Sequence, residues 1–130
     1  MARDLKAYLD TAVTVWLAQG DLGRISSAAL DVIRDSGLLV SPMVQLELEY
    51  LYEINRIKLT SRDILLKLRY ELEVSVCPLS FVNIIESAVN EKWTRDPFDR
   101  IIVAQAKANG LSILVSSDEH IRSNYVKTVW

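Results

Sequence analysis

Cysteine and histidine are almost absent from this chain of 130 residues, since Cys77 and His120 are the only members of their types. A single cysteine excludes an internal disulfide bond and a cysteine-based zinc site. A single histidine removes most Ser–His and Cys–His catalytic schemes, because their general base is usually an imidazole. Any chemistry must therefore rest on carboxylates, hydroxyls, lysines or a bound cation. We expect Cys77 and His120 to be structural or solvent-facing.

The chain also lacks long apolar runs, low-complexity segments and linkers rich in proline, glycine or serine. No run approaches the roughly 18 apolar residues of a membrane span, and the first six residues lack the apolar stretch of a secretory signal. We therefore expect a cytoplasmic protein with no membrane partner and a single domain over residues 1–130. The net charge of −2 argues mildly against bulk electrostatic binding of nucleic acid. Acidic residues gathered around metal ions, however, do not oppose nucleic-acid binding in the way that a scattered acidic surface does.

Half of the residues are apolar, and they fall in short runs that alternate with amphipathic stretches. Strands separated by helical crossovers are typical of a parallel sheet with helices on both faces. We therefore predict an α/β protein of three layers, α/β/α, around a central parallel sheet of four to five short strands. The predicted strands cover residues 6–9, 38–40, 74–77, 112–115 and 126–130. The predicted helices pass through residues 13–17 and cover residues 26–36, 42–55, 61–73, 80–92 and 96–109, with Gly37 as the stop of the second.

Two acids follow predicted strands directly. Asp10 comes after Ala7-Tyr8-Leu9, and Asp118 comes two residues after Ile113-Leu114-Val115. Functional groups in open parallel sheets collect just beyond the carboxyl ends of the strands, so both acids are expected at the same rim. The sequence leaves open that each one only caps the following helix, because aspartate is a favoured N-cap.

A third acid, Glu47, lies in an apolar part of its predicted helix. Its position falls within the stripe formed by Val44, Leu48 and Leu51. An ionised carboxylate is costly there unless it has a partner. Glu49, in contrast, lies on a mostly polar face of the same helix. Glu47 is therefore predicted to point inward, either as a functional acid or as the partner of a buried arginine.

The segment around Asp96 and Asp99 has two interpretations. Asp96 as N-cap, Pro97 at the first position and Asp99 at the third make a well-formed helix start. Residue chemistry alone favours this structural interpretation. Asp99 nevertheless precedes Ile102 and Val103 by one turn, so its face of the helix also turns towards the core.

Four acids at one site would repel one another unless some are protonated or a cation lies among them. Two unit charges about 4 Å apart interact with roughly 4 kcal/mol at an effective dielectric constant near 20. A set of oxygen ligands without histidine or cysteine favours Mg²⁺ or Mn²⁺ over zinc. Such carboxylate sites are well suited to the hydrolysis of phosphodiester bonds.

Several motifs resemble those of the PIN-domain family, and within it the VapC-type toxins of bacterial toxin–antitoxin pairs. Tyr8-Leu9-Asp10-Thr11 is similar to the opening motif of that family, and residues 41–47 are similar to its serine-then-glutamate helix start. The most specific match is residues 96–106, Asp-Pro-Phe-Asp-Arg-Ile-Ile-Val-Ala-Gln-Ala, followed by Gly110 and Ser116-Ser117-Asp118. The ordered set spans essentially the whole chain.

The resemblance implies a PIN fold and a metal-dependent endoribonuclease that acts on RNA. It also implies neutralisation by a cognate antitoxin, and a homodimer. Carried over by position, the metal-site and catalytic acids are Asp10, Glu47, Asp99 and Asp118, with Mg²⁺ or Mn²⁺ as cofactor and Asp96 as a doubtful fifth acid. Thr11 and Ser116 match supporting hydroxyl positions. Ala12 and Ser116 depart from the more usual residues of the family, which puts substrate contacts in doubt rather than the chemistry.

Other side chains could contact a substrate. Trp93 could stack on a nucleobase, and Arg95 and Arg100 could hold phosphate or pair with the neighbouring acids. By resemblance, an antitoxin segment would dock on the two helices over residues 42–55 and 61–73, although core packing would demand the same apolar stripes. Two other functions stay open: a receiver-like domain that accepts a phosphoryl group, and a catalytically silent PIN-fold binding module.

Overall fold

A computed structural model describes residues 5–130 of the protein. Its centre is a parallel sheet of five strands in the order β3-β2-β1-β4-β5. The strands are β1 (Lys6–Leu9), β2 (Gly37–Val40), β3 (Ser75–Val76), β4 (Ile113–Val115) and β5 (Thr128–Val129). The helices are α1 (Thr11–Gln19), α2 (Ser27–Asp35), α3 (Pro42–Glu53), α4 (Ser61–Leu72), α5 (Phe81–Ala88), α6 (Pro97–Ala108) and α7 (Glu119–Asn124). The predicted α/β class, with its parallel sheet between helices, is confirmed.

The order of the strands distinguishes between two doubly wound arrangements. Chain order reverses next to β1, because β2 and β3 lie on one side of it and β4 and β5 lie on the other. This order is the 3-2-1-4-5 arrangement, whereas receiver-type sheets have the order 2-1-3-4-5. The receiver-like alternative is therefore wrong. The crevice at the carboxyl ends of β1 and β4 is the switch point where such sheets bind their ligands.

Local sequence signals explain where most helices begin. The hydroxyls of Ser26, Ser41 and Thr60 each accept a hydrogen bond from a backbone N–H in the first turn of α2, α3 and α4. Pro42 and Pro97 occupy the first turn of α3 and α6, where a missing N–H costs nothing. These starts agree with the predicted ones, because caps are read from neighbouring residues.

Other predicted boundaries were wrong. Gly37 does not stop α2, because Ser36 is its C-cap and Gly37 is already the first residue of β2. The helix predicted over residues 80–92 ends at Ala88. The 3₁₀ turn over Leu22–Arg24 was not predicted, and the short helix α7 was expected only as the helix that Asp118 would cap. Residues 1–4, part of the segment judged not to be a secretory signal, lie outside the described residues. Within residues 5–130, no helix is long and apolar enough to cross a membrane.

The hydroxyl of Tyr8 in β1 is a polar group within the core. The Tyr8 side chain is fully buried. Its hydroxyl donates to the Sγ of buried Cys77 at 2.9 Å and accepts from the Nδ2 of Asn109 at 2.8 Å. These bonds connect the central strand to the segment after β3 and to the end of α6. Cys77 is thus structural, as predicted.

Replacing Tyr8 with phenylalanine tests this central contact. The change leaves the amide of Asn109 and the thiol of Cys77 without their partner, so we expect a loss of about 1–2 kcal/mol in the free energy of unfolding. Urea denaturation measures it. Tyr70→Phe is the matched control, because the Tyr70 side chain is 91% exposed. Equal stability of the two variants would contradict the contribution assigned to the Tyr8 hydroxyl.

Candidate carboxylate site

The acids Asp10, Glu47, Asp99 and Asp118 line one cleft at the switch point of the sheet. The cleft has a volume of about 230 Å³, and Ile102 and Ile121 form its apolar wall. Four different elements supply the acids: the ends of β1 and β4, the second turn of α3, and the first turn of α6. The structure therefore brings together all four acids that the sequence singled out.

Asp10 is at once a helix cap and a wall of the cleft. Its backbone N–H donates to the carbonyl of Val115, which joins it to β4, and its Oδ1 accepts from the N–H of Val13 at 2.9 Å. The residue is only 6% exposed. Burial raises the pKa of Asp10 to about 6, against the opposing effect of a hydrogen bond from Ser116. The Asp10 carboxylate therefore caps α1, accepts from Ser116 and lines the cleft at the same time.

Asp118 has the same dual position on the other strand. Its Oδ1 accepts from the N–H of Ile121 at 2.9 Å and so caps α7. The hydroxyl of Ser116 accepts from the backbone N–H of Asp118 at 3.1 Å, which fixes the turn after β4. The capping interpretation of Asp10 and Asp118 is therefore correct, and it does not exclude a place in the cleft.

Glu47 turns inward from α3, as predicted, and its partner is a hydroxyl. Its Oε1 accepts a hydrogen bond of 2.5 Å from the Oγ1 of Thr11. Among the described residues no arginine forms an ion pair with Glu47, so the proposed buried arginine is not there. Burial raises the pKa of Glu47, and the hydrogen bond from Thr11 opposes that rise.

Asp99 is the acid most affected by its neighbours. Burial raises its pKa to about 7, with further increases from the charges of Asp96, Asp118, Glu47 and Asp10. Asp96 itself caps α6, because its Oδ1 accepts from the backbone N–H groups of Phe98 and Asp99. Asp96 is exposed and does not line the cleft, so its capping role is established and its role as a fifth acid is not.

The side chains fit a hard divalent cation by chemistry, although they do not form a finished cage. The cleft has oxygen donors from four carboxylates, and burial together with the charges of the neighbouring acids raises the pKa of Asp99. Within residues 5–130, no group of three acids, histidines or cysteines already converges at the spacing of metal ligands. A cation would therefore require the carboxylates that line the cleft to move closer together.

The three residues predicted to contact a substrate, Arg100, Trp93 and Arg95, have different surroundings. Arg100 donates from Nε and Nη2 to the carbonyls of Ala88 and Val89, at 2.8 and 3.1 Å. Its guanidinium therefore binds the end of α5 and forms no ion pair with the acids among the described residues, while its contact with phosphate stays a prediction. Trp93 is half-buried and donates from Nε1 to Glu91 at 2.7 Å. Arg95 is exposed.

Sequence reasoning missed an ion pair that the buried Glu91 forms with Lys107. Glu91 is 4% exposed, and its Oε1 lies 2.5 Å from the Nζ of Lys107 in α6. Glu91 also accepts the hydrogen bond from the indole of Trp93. The ring of Trp93 packs edge-on against the ring of the exposed His120, with 5.0 Å between the two ring centroids. Nothing local marks Glu91 as buried, since its partner Lys107 lies 16 positions further along the chain.

Comparison with known proteins agrees with this fold. A model of the PIN domain matches residues 7–127. The crystal structure of VapBC2 from Rickettsia felis, bound to a DNA fragment from their promoter, contains a chain with TM-score 0.59 and 15% identity, covering 96% of each chain. A chain in the crystal structure of DNA-bound VapBC from Salmonella typhimurium has a TM-score of 0.58 and 16% identity, and the match covers 95% of each chain. At these identities the likeness concerns the fold alone. No curated protein matches.

The raised pKa of Asp99 predicts how stability depends on pH in metal-free buffer. Its ordinary value is 3.8 and its value in the folded protein is about 7, so the folded state holds the extra proton between these values. The free energy of unfolding therefore falls as pH rises through this window. Asp99→Asn removes the charge and should stabilise the metal-free protein at pH 8. We expect a gain of roughly 1–2 kcal/mol in the free energy of unfolding. This gain is smaller than the full 1.36 kcal/mol for each unit of the pKa rise, because the side chain is partly solvated.

Thermal unfolding in EDTA at pH 5 and pH 8 measures this effect. The advantage of Asp99→Asn should be largest at pH 8 and clearly smaller at pH 5, because pH 5 lies low in the window between the two pKa values. Glu71→Gln, an exposed acid of α4, is the control and should show no such trend. An equal change at both pH values would show that charge repulsion is not the cause.

Proposed function

The chain belongs to the PIN-domain family, and on that premise we propose that it is an endoribonuclease that hydrolyses RNA phosphodiester bonds with Mg²⁺ or Mn²⁺. The observation that carries the proposal is the meeting of four acids in one cleft, with the pKa of Asp99 raised to about 7. A structural role alone would not explain this concentration of like charge, because it destabilises the folded chain.

Each residue of the site has a task in this proposal. Asp10, Glu47, Asp99 and Asp118 would hold the cation. A bound Mg²⁺ or Mn²⁺ would lower the pKa of an attacking water and stabilise charge on the phosphate oxygens. Thr11 donates to Glu47 and so keeps its carboxylate aimed at the cleft. Ser116 steadies both Asp10 and the turn that presents Asp118.

The chain has a net charge of −2, so bulk electrostatic attraction would contribute little to the binding of RNA. Arg95 is exposed next to Asp96, and we propose it as a phosphate contact at the rim. Trp93 has its indole N–H committed to Glu91, so only the exposed part of its ring is available to a base. Specificity would then depend on the shape of the RNA more than on bulk attraction.

We further propose that the protein is the toxin of a toxin–antitoxin pair and acts in the cytoplasm. The motif resemblance and the fold shared with VapBC chains support this. A groove of about 370 Å³ between α1, the α3–α4 connection and α4 fits an antitoxin segment, because Val15, Ile57 and Ile64 give it an apolar floor. Arg56 and Lys58 at its edge favour a segment with acidic residues.

RNA cleavage by the purified protein tests the enzymatic proposal. We expect cleavage with added Mg²⁺ or Mn²⁺ and none in EDTA. Asp10→Asn and Asp99→Asn should each reduce the rate by about 100-fold or more, since a lost cation site removes several kcal/mol of transition-state stabilisation. Electrophoresis of a labelled RNA measures the rate.

Asp63→Asn is the matched control, because Asp63 is an exposed acid in the first turn of α4. It should cleave like the wild type. Unchanged cleavage in both site variants would reject the assignment, and no cleavage under any condition would favour the catalytically silent module. Suppression of cleavage by the product of the neighbouring gene would support the antitoxin part.

A further inference from the structure

Two pairs of aromatic rings lie beside the acids of the cleft, and the first joins Tyr50 of α3 to Phe98 of α6. The two rings are stacked, with 6.3 Å between their centroids and 27° between their planes. Tyr50 lies one helical turn beyond Glu47, and Phe98 directly precedes Asp99. This pair therefore connects the two helices that bring Glu47 and Asp99 to the cleft, next to those acids.

The second pair consists of Trp93, in the segment before α6, and His120, in the first turn of α7. Their rings meet edge to face, with 5.0 Å between the centroids and 81° between the planes. The hydrogen bond from the indole Nε1 of Trp93 to the buried Glu91, 2.7 Å long, fixes the larger ring. His120 follows Asp118 by two residues on the short helix that Asp118 caps. The second pair therefore lies beside Asp118.

In each pair one ring is partly buried and the other is exposed. Phe98 and Trp93 pack against the hydrophobic core. Tyr50, in contrast, is 48% exposed, and His120 is also exposed. The partly buried ring holds the exposed ring in a fixed orientation and leaves part of its surface in water. Each pair therefore presents a preorganised aromatic surface beside an acid of the cleft.

Packing alone explains the buried ring of each pair but not the exposed one. Phe98 stabilises the fold by removing apolar surface from water. A contact between two helices gains most when both partners leave water, yet about half of the Tyr50 side chain stays exposed. A flat partner that stacks on such a ring would cover this surface.

The acids of the cleft increase the need for contacts that do not depend on charge. Four carboxylates line the cleft and repel the phosphates of an approaching RNA strand. A cation among them would compensate for this repulsion at one phosphate only. Stacking of a base on an aromatic ring contributes binding energy without positive charge on the protein. The exposed rings can therefore supply what the acidic cleft lacks.

We propose that Tyr50 and His120 each stack on a nucleobase of the RNA and so hold the two nucleotides that adjoin the phosphate at the acids. This inference rests on the proposed ribonuclease function and assigns two substrate-binding residues to it. Phe98 and Trp93 are positioning residues, because they fix the rings that touch the bases. Every base has a flat π-face, so this stacking holds nucleotides without selecting their sequence.

Binding of RNA to the Asp99→Asn protein in EDTA tests the stacking without any need for cleavage. The substitution removes one negative charge from the cleft, and EDTA removes the cation that the proposed cleavage requires. Fluorescence anisotropy compares a labelled single-stranded hexanucleotide with a ribose-phosphate backbone of the same length that has no bases. The hexanucleotide should bind more tightly. Adding Tyr50→Leu or His120→Leu should weaken its binding about 10-fold and leave the affinity for the abasic backbone unchanged.

The control variants separate the flat ring from the rest of the side chain. Tyr50→Phe and His120→Phe should each keep the affinity for the hexanucleotide, because both keep an aromatic ring at the position. Tyr52→Leu is the matched control, since Tyr52 is an exposed tyrosine of the same helix that stacks on no other ring among residues 5–130. Its affinity should also be unchanged. Circular dichroism checks that each variant is folded.

The comparison of the two ligands distinguishes stacking from a structural effect. A structural effect of the leucine variants would weaken the binding of both ligands alike, and that result would overturn the proposal. Equal affinity of the Asp99→Asn protein for the two ligands, or no binding of either, would also overturn it. Base-dependent binding through both rings in a protein that never cleaves RNA would reject the proposed catalysis and support the stacking.

Discussion

The repulsion among carboxylates in a partly desolvated cleft is the constraint on which the functional account depends. Asp10 is buried beside the central strand, and Asp99 has its pKa raised by burial and by four neighbouring acids. Hydroxyl groups orient two of the three, since Glu47 accepts from Thr11 and Asp10 accepts from Ser116. A folded chain tolerates such a group of like charges only when the rest of the structure supplies the stability that the group removes.

The fold supplies that stability largely through the backbone. Asp10 and Asp118 each give one oxygen to a helix cap, so part of the acidic charge is stabilised by the N-termini of α1 and α7. The register Leu9↔Val115 places the ends of β1 and β4 side by side, and the two acids follow from there. The helices α3 and α6 then bring Glu47 and Asp99 from the side. A cap and a metal ligand are compatible because a carboxylate has two oxygens.

Sequence alone could predict the features that depend on neighbouring residues. Ser41-Pro42 and Asp96-Pro97 mark helix starts through local hydrogen bonding and a fixed φ angle, and the structure agrees. The inward direction of Glu47 follows from helical spacing. The choice between cap and cleft for Asp10 could not be made, because the sequence gives no distance between β1 and β4.

What could not be predicted depends on contacts between distant segments. The helix α5 ends at Ala88 because the side chain of Arg100, twelve positions further along the chain, donates hydrogen bonds to the carbonyls of Ala88 and Val89. Gly37 continues into β2 because pairing with Lys6 of β1 extends the strand backwards. Glu91 is buried because Lys107 in another element neutralises it. In each case the partner residue lies far away in the sequence, so a pattern of neighbouring residues does not reveal it.

Diffraction from crystals soaked in Mn²⁺ tests the central claim most directly. Anomalous scattering locates the ion without assumptions about catalysis. The account predicts an anomalous peak in the cleft, with oxygens of Asp10, Asp99 and Asp118 about 2.0–2.3 Å away, and no such peak in Asp99→Asn crystals. An empty cleft in wild-type crystals at saturating Mn²⁺ would contradict it.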